Sequence, residues 1–322
     1  MSDLKHDFVH TNGIRLHYVE AGSSGPLIVL CHGFPESWYS WRHQLPALAA
    51  AGFRVVAPDQ RGYGQTDRPH AIAAYNILDL VGDIVGLVNA LGEKEAVIVG
   101  HDWGALVAQQ AALLRPDLFR ALALLSVPFI PRGPVRPAVL FAQATRQMHF
   151  YQDYFQEPDK AERELEEDVR GTLLALLWER SLPGQTDTHS IAAFPKNMRL
   201  GDVIRARVPD ALPQWLTQDD LEFYVGEFAR TGFRGGINWY RNIDRNWELT
   251  PFQDGAKVLQ PAVFIAGERD LVLKMRPEAV TAQSRYVPDL KGSHIVPEAG
   301  HWVQQQKPDA VNGFLLDFLR AL

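Results

Sequence analysis

Short apolar runs alternate with helical patterns through the first 130 residues, and this alternation restricts the fold more than any other feature of the chain. Residues 26–31 (Pro-Leu-Ile-Val-Leu-Cys) carry no charge and read as a strand buried on both faces. Residues 54–58, 95–99 and 121–126 read as three more. Helical stretches near 38–50, 75–91 and 105–114 separate them. Apolar strands joined through helices are βαβ units, and their strands lie parallel. From about Ile130 to Thr250 no strand pattern is evident. Residues 159–180 read as a helix whose charge run, Glu162 to Asp168, is a solvated face, and residues 201–212 read as loop. Thr217-Gln218-Asp219-Asp220 opens a further helix like a capping box, with Leu221, Tyr224, Val225 and Phe228 on its apolar stripe. Strand patterns return at 262–266 and 294–297, and a last helix carries Val311, Phe314, Leu315, Phe318, Leu319 and Leu322 on one side. The expected architecture is α/β: a mostly parallel sheet flanked by helices, formed by residues 1–129 and 251–322, with an all-helical cap inserted at 130–250.

Composition narrows the partners. The 322 residues are 46% hydrophobic and 22% charged, enough for a substantial core, and the net charge of −6 does not suit a nucleic-acid binder. The single cysteine, Cys31, excludes an internal disulfide and a cysteine-held zinc, and its place in a buried strand makes it a small core residue. Residues 1–7 lack an apolar segment of the signal-peptide kind, and no apolar run approaches the ~20 residues of a membrane span. A soluble cytoplasmic protein is expected, a monomer or homodimer, with no nucleic-acid partner and no membrane span.

The chemistry centres on Gly100-His101-Asp102-Trp103-Gly104, between a strand and a helix. This is the G-x-nucleophile-x-G elbow with aspartate in place of serine. The glycines allow a sharp turn, and Asp102 stands above the sheet at a helix N-terminus, where an anion is favoured. A carboxylate attacking an ester or amide makes an anhydride, too reactive to be a useful intermediate. One attacking a saturated carbon makes an ordinary ester. The electrophile is therefore an epoxide or an alkyl halide, and water must then hydrolyse the enzyme's own ester with a general base and an oxyanion hole. The base is one of eleven histidines. With the order nucleophile, acid, histidine, only His294 and His301 are placed to serve. His294 is expected at the start of its strand, the wrong end, which leaves His301. His101 is expected to pack away from the elbow. For the acid, Asp270 follows the strand at 262–266, with Glu268 as competitor. The oxyanion hole falls to the backbone N–H of Trp103 and of Phe34, in the loop after the first apolar strand.

His32-Gly33-Phe34-Pro35, Asp59-Gln60-Arg61-Gly62-Tyr63-Gly64, the elbow and Gly300-His301-Trp302 together resemble the soluble epoxide hydrolases of the α/β-hydrolase superfamily. Residues 150–158 and 230–242 resemble that family's lid. The resemblance covers essentially the whole chain, without the extra N-terminal phosphatase domain of some animal members. It implies a cis Phe34–Pro35 bond and lid tyrosines at Tyr151 and Tyr240. These tyrosines separate the two chemistries. An opening epoxide leaves as a strongly basic alkoxide and needs an O–H donor, whereas a halide does not. Tyr154, three residues from Tyr151, could face similarly. Phe34, Trp103, Phe150, Gln152 and Trp302 are expected to shape a pocket for a small lipophilic epoxide. The implied activity converts epoxide and water to a vicinal diol with no cofactor and no metal. A haloalkane or haloacid dehalogenase with the same Asp-His-Asp set is the rival enzyme, and an inactive ligand-binding receptor the rival of another class.

Overall fold

The computed structural model describes residues 4–179 and 191–322. Its strands are β1 (Lys5–Thr11), β2 (Ile14–Ala21), β3 (Leu27–Cys31), β4 (Arg54–Pro58), β5 (Ala96–His101), β6 (Phe119–Leu125), β7 (Met148–Phe150), β8 (Ala193–Pro195), β9 (Ala262–Gly267) and β10 (Leu290–Val296). Eight of them form one sheet in the order β1-β2-β4-β3-β5-β6-β9-β10. From β4 to β10 every pairing is parallel, and β2 runs antiparallel to both β1 and β4. Three helices accompany the first half: α1 (Gln44–Ala50), α2 (Ile77–Ala90) and α3 (Trp103–Leu114). Between β6 and β9 lie α4 (Pro137–Ala144), α5 (Tyr151–Tyr154), α6 (Lys160–Glu166), α7 (Val169–Glu179), α8 (Leu200–Arg205), α9 (Gln218–Thr231), α10 (Arg234–Arg241) and α11 (Ile243–Leu249). The chain closes with α12 (Leu271–Met275), α13 (Pro277–Tyr286), α14 (Val303–Gln306) and α15 (Pro308–Arg320).

The uninterrupted apolar runs follow from helices on both faces. In β3, Leu27, Val29 and Cys31 join a core with residues of α2 and α3, while Ile28 and Leu30 join a second core with residues of α1 and α15. Period-two alternation therefore sends side chains to two dry faces, and no polar residue is admitted. Because the strands are parallel, the loops after β3, β5, β9 and β10 emerge at one edge of the sheet, the edge at which α/β folds bind ligands.

The structure corrects several expectations. The insert between β6 and β9 is not all-helical, because β7 and β8 pair antiparallel within it. Three-residue strands are too short to show a period in sequence. Helix α8 lies in the stretch expected to be loop; its turn and a half buries Leu200, Val203 and Ile204. The helix expected over 159–180 is two, α6 and α7, and Arg180 lies outside the described residues. Its charge run is not simply solvated. Glu162 is buried in an ion pair with Arg241, and buried Glu164 accepts the Tyr154 hydroxyl at 2.8 Å. An edge hairpin, β1 and β2, was not among the expected strands. Asn12 and Gly13 at its turn both take positive φ, the pairing that a two-residue hairpin favours. His294 is the fifth of seven residues in β10, not its first, and stacks on Phe314 with centroids 4.0 Å apart. The capping box is present as read, Thr217 and Asp220 serving each other's backbone.

Candidate active site

Asp102 joins β5 to α3 with φ 52° and ψ −119°, a left-handed conformation rare for a residue with a side chain. The two elbow glycines make this possible. A Cβ on Gly100 would overlap the Gly104 carbonyl, and one on Gly104 would overlap the Cys31 carbonyl. Strand and helix therefore approach closely enough to hold the strained residue between them.

Three loops deliver the partners. Asp102 Oδ1 accepts the Phe34 N–H at 2.9 Å, and Phe34–Pro35 is cis. Asp102 Oδ2 lies 3.2 Å from His301 Nε2. His301 Nδ1 lies 3.0 Å from each Asp270 carboxylate oxygen. Asp270 also caps α12, accepting the Val272 N–H at 2.9 Å. All three side chains are buried, with Asp102 the most accessible at 8%. Burial opposes charge on Asp270, yet the charge and hydrogen bond of His301 hold its carboxyl below the usual range. With Nδ1–H directed at Asp270, Nε2 is the nitrogen that exchanges a proton beside Asp102. Glu268, the competing acid, is exposed and accepts the Glu298 N–H instead.

A cavity of about 460 Å³ opens over Asp102. Trp103, Phe150, Tyr151, Gln152 and Tyr240 are on its wall. Tyr151 stands at the start of α5 and Tyr240 near the end of α10, their rings 5.7 Å apart. Tyr240 packs edge-on against Trp103 at 5.0 Å and Phe34 at 5.5 Å, and Gln152 Nε2 donates to the Tyr151 hydroxyl at 2.9 Å. Tyr154 points elsewhere: it is buried against Glu164, and burial together with that carboxylate pushes its phenol up. Phe34 and Trp302 are not on this wall. Phe34 contributes its backbone N–H, and buried Trp302 donates its indole N–H to the Leu177 carbonyl at 3.1 Å, tying α7 to the core.

Sequence reasoning missed Glu36. Its side chain is fully buried and accepts from the Gly33 N–H at 2.7 Å and from Gln304 at 3.1 Å, and lies 2.7 Å from His101 Nδ1. His101 in turn reaches the His301 carbonyl through Nε2 at 2.7 Å. Burial alone would raise the Glu36 carboxyl, but the adjacent His101 holds it below its ordinary value. The loops after β3 and β10 thus share one buried polar anchor. Its only signal in the sequence was a carboxylate one residue past the His32–Pro35 motif.

A family model described as the alpha/beta hydrolase fold matches residues 26–308. Epoxide hydrolase A of Mycobacterium tuberculosis (strain ATCC 25618 / H37Rv) is 46% identical over 320 residues, covering 98% of this chain and 97% of that protein. The chain belongs to the epoxide hydrolase family. Bifunctional epoxide hydrolase 2 of Mus musculus, another family member, is 41% identical over 99% of this chain and 56% of its own length. Among solved structures, an epoxide hydrolase from an endophytic Streptomyces superimposes with TM-score 0.92 at 46% identity, covering 99% of this chain and 96% of that one. Epoxide Hydrolase A from Mycobacterium thermoresistibile gives TM-score 0.92 at 47% identity, covering 99% and 98%. No helix among the described residues of this family member is long and apolar enough to cross a membrane.

Proposed function

We propose that the chain hydrolyses epoxides to vicinal diols through an ester on Asp102, in a site closed by a cap at residues 130–250 over a core of residues 1–129 and 251–322. Tyr151 and Tyr240 hydrogen-bond the epoxide oxygen. Asp102 Oδ2 attacks one ring carbon from the opposite side; the ring C–O bond breaks, and the alkoxide takes a proton from a tyrosine. Oδ1 stays on the Phe34 N–H and becomes the ester's carbonyl oxygen. His301 Nε2, held by Asp270, removes a proton from water, which attacks the carbonyl carbon of Asp102. The Phe34 and Trp103 N–H groups hold the oxyanion as it forms. The tetrahedral intermediate collapses with cleavage of the C–Oδ2 bond, the departing oxygen of the diol takes the proton of the added hydroxyl, the carboxylate is restored, and the proton held on His301 goes back, through water, to the tyrosinate. Atoms balance as epoxide plus water, so the cycle calls on no metal or cofactor.

The observation that carries this reading is the pairing of Tyr151 and Tyr240 on the same cavity wall as Asp102. A dehalogenase would have no need of two phenols there. Every group named belongs to one chain, so a monomer or homodimer is equally competent. We place the protein in the cytoplasm, a reading supported by its lone cysteine, which is buried in β3 with its thiol pushed up by burial. The test offers styrene oxide, trans-stilbene oxide and 1-bromobutane to the purified protein and assays diol and bromide. Diol without bromide is expected. Bromide without diol would mean that the same aspartate and histidine serve a dehalogenase.

A further inference from the structure

Tyr151 and Tyr240 stand on different helices, and neither helix alone fixes where its phenol points. Tyr151 opens α5, a single turn too short to hold its own direction in water. Tyr240 is in the last turn of α10, where carbonyls are open to donors from outside the helix. Two side chains join these helices, and the exchange is reciprocal. Gln156, just beyond α5, donates from Nε2 to the Tyr240 carbonyl at 3.0 Å and to the Gln152 carbonyl at 2.8 Å. Both partners are acceptors, so the amide must face them with its nitrogen, and both of its N–H groups are used. Arg241, the residue after Tyr240, reaches the other way. Its Nε donates to the Phe155 carbonyl at 2.9 Å and its Nη2 to the Glu157 carbonyl at 3.0 Å.

The guanidinium is also held from behind. Nη1 and Nη2 meet the two carboxylate oxygens of Glu162 on α6, the Nη2 contact at 2.9 Å, and Nη1 donates to Asn238 at 2.9 Å. The ion pair is buried, and every N–H of the guanidinium has an acceptor, so none is left for a ligand. Phe155 fills the angle between the phenols, edge-on to Tyr151 at 5.7 Å, to Tyr240 at 5.1 Å and to Phe34 at 6.0 Å. None of Phe155, Gln156, Glu162 and Arg241 stands on the cavity wall. A substrate therefore meets them only through the residues they hold.

We infer that Gln156 and Arg241 are positioning residues for the reaction: they set Tyr151 and Tyr240 in register, so that both phenols reach one epoxide oxygen together. The inference rests on the role proposed for the two phenols and adds what keeps them paired. Two O–H donors that share one acceptor must each lie within about 2.5–3.0 Å of it. Their helices are far apart in the chain, so a small slip of α5 against α10 takes one donor out of range. A displacement of about 1 Å in such a site costs on the order of 10²-fold in rate.

The experiment introduces Gln156→Met, which keeps the length of the side chain and removes both donors, and Arg241→Lys, which keeps the charge opposite Glu162 and removes the fork. Stopped-flow recording with trans-stilbene oxide follows ester formation and ester hydrolysis as separate phases. Each variant should slow ester formation about tenfold and leave hydrolysis within about twofold, because the phenols act in ring opening. In a Tyr240→Phe background, where no second donor remains to align, Gln156→Met should add less than about twofold. A side chain that only braced the cap would slow both phases alike and add its effect in full to that of Tyr240→Phe. Either result overturns the inference, as does ester formation unchanged in both single variants. Gln156 is half-buried, so its variant carries the test if Arg241→Lys does not fold. The expected slowing by Tyr151→Phe and Tyr240→Phe beside a silent Gln156→Met removes this inference alone. Ester formation unmoved by either tyrosine variant removes the role of the phenols as well.

Discussion

At the scale of single residues, the site rests on a division of labour between the two oxygens of Asp102. One is committed to a backbone N–H and the other to His301. A carboxylate so held attacks with one atom while its charge on the other is already stabilised. In the proposed cycle the base is needed only in the second half, which gives a sharp prediction. His301→Gln should still open the epoxide but slow ester hydrolysis about 10³-fold, within the range that general base catalysis supplies. Intact-mass measurement should then show an adduct equal to the substrate on Asp102; an unmodified chain with normal turnover would remove His301 from the mechanism. In the proposed cycle the tyrosines act in the first half. Tyr240→Phe and Tyr151→Phe should each slow ester formation about 10–100-fold, and the double variant much more, because the alkoxide then has no proton donor. Stopped-flow recording of ester formation checks this, and a double variant with unchanged rate would refute the role. Asp102, His301, Asp270 and the Phe34 N–H were legible from motif and strand order because each follows a strand that the sequence pattern marks. The tyrosines came only through the family resemblance, since a lone tyrosine in a helical segment carries no chemical signature.

At the scale of elements, catalytic geometry depends on how loops from β3, β5 and β10 are tied together. Glu36 is the knot. It bonds the Gly33 N–H, faces His101 on the elbow and accepts from Gln304 on α14. Removing the Glu36 carboxylate leaves the Gly33 N–H, His101 Nδ1 and the Gln304 amide buried without this acceptor. Glu36→Ala should therefore cost about 3–5 kcal/mol, seen as a lower urea midpoint at unchanged slope, and Glu36→Gln distinctly less. Equal midpoints for wild type and alanine variant would show that the knot carries no stability. This residue was invisible to sequence reasoning because a glutamate in a loop reads as solvated until its surroundings are known. The same holds for Glu162 and Glu164. Their place in a charged run gave them to solvent, while packing of α6 against α10 and α8 gave them Arg241, Tyr154 and the Gly201 N–H. The short elements β7, β8 and α8 escaped for another reason: fewer than two periods of any pattern leave nothing to count.

Across the whole molecule, buried histidines and carboxylates make stability depend on pH. His32 lies between the β3 loop and Gln60: its Nε2 accepts the Gln60 N–H at 3.0 Å, so the proton resides on Nδ1, 2.9 Å from the Gly33 carbonyl. Burial holds its pKa below the ordinary histidine value. A group depressed on folding contributes stability above its unfolded pKa, here about 6.5, and loses it as pH falls through the folded value. Glu36, Asp59 and Asp270 are depressed too, each held down by a histidine against the opposing effect of burial. Their contribution is lost below about pH 4. Melting temperature should thus begin to fall below about pH 6.5 and fall again below about pH 4. A curve flat from pH 7 to pH 5 would deny His32 this part. The sequence by itself determined the α/β alternation, the place of the long insert and the elbow aspartate, because these depend on local periodicity and on glycines that only one backbone geometry requires. Only the tertiary structure decided which charges are buried, where the insert's short strands pair, and that Tyr154 turns away while Tyr151 faces the cavity. Those outcomes rest on contacts between segments far apart in the chain, and the free energy of a charge or a phenol is set by what surrounds it rather than by its neighbours in sequence.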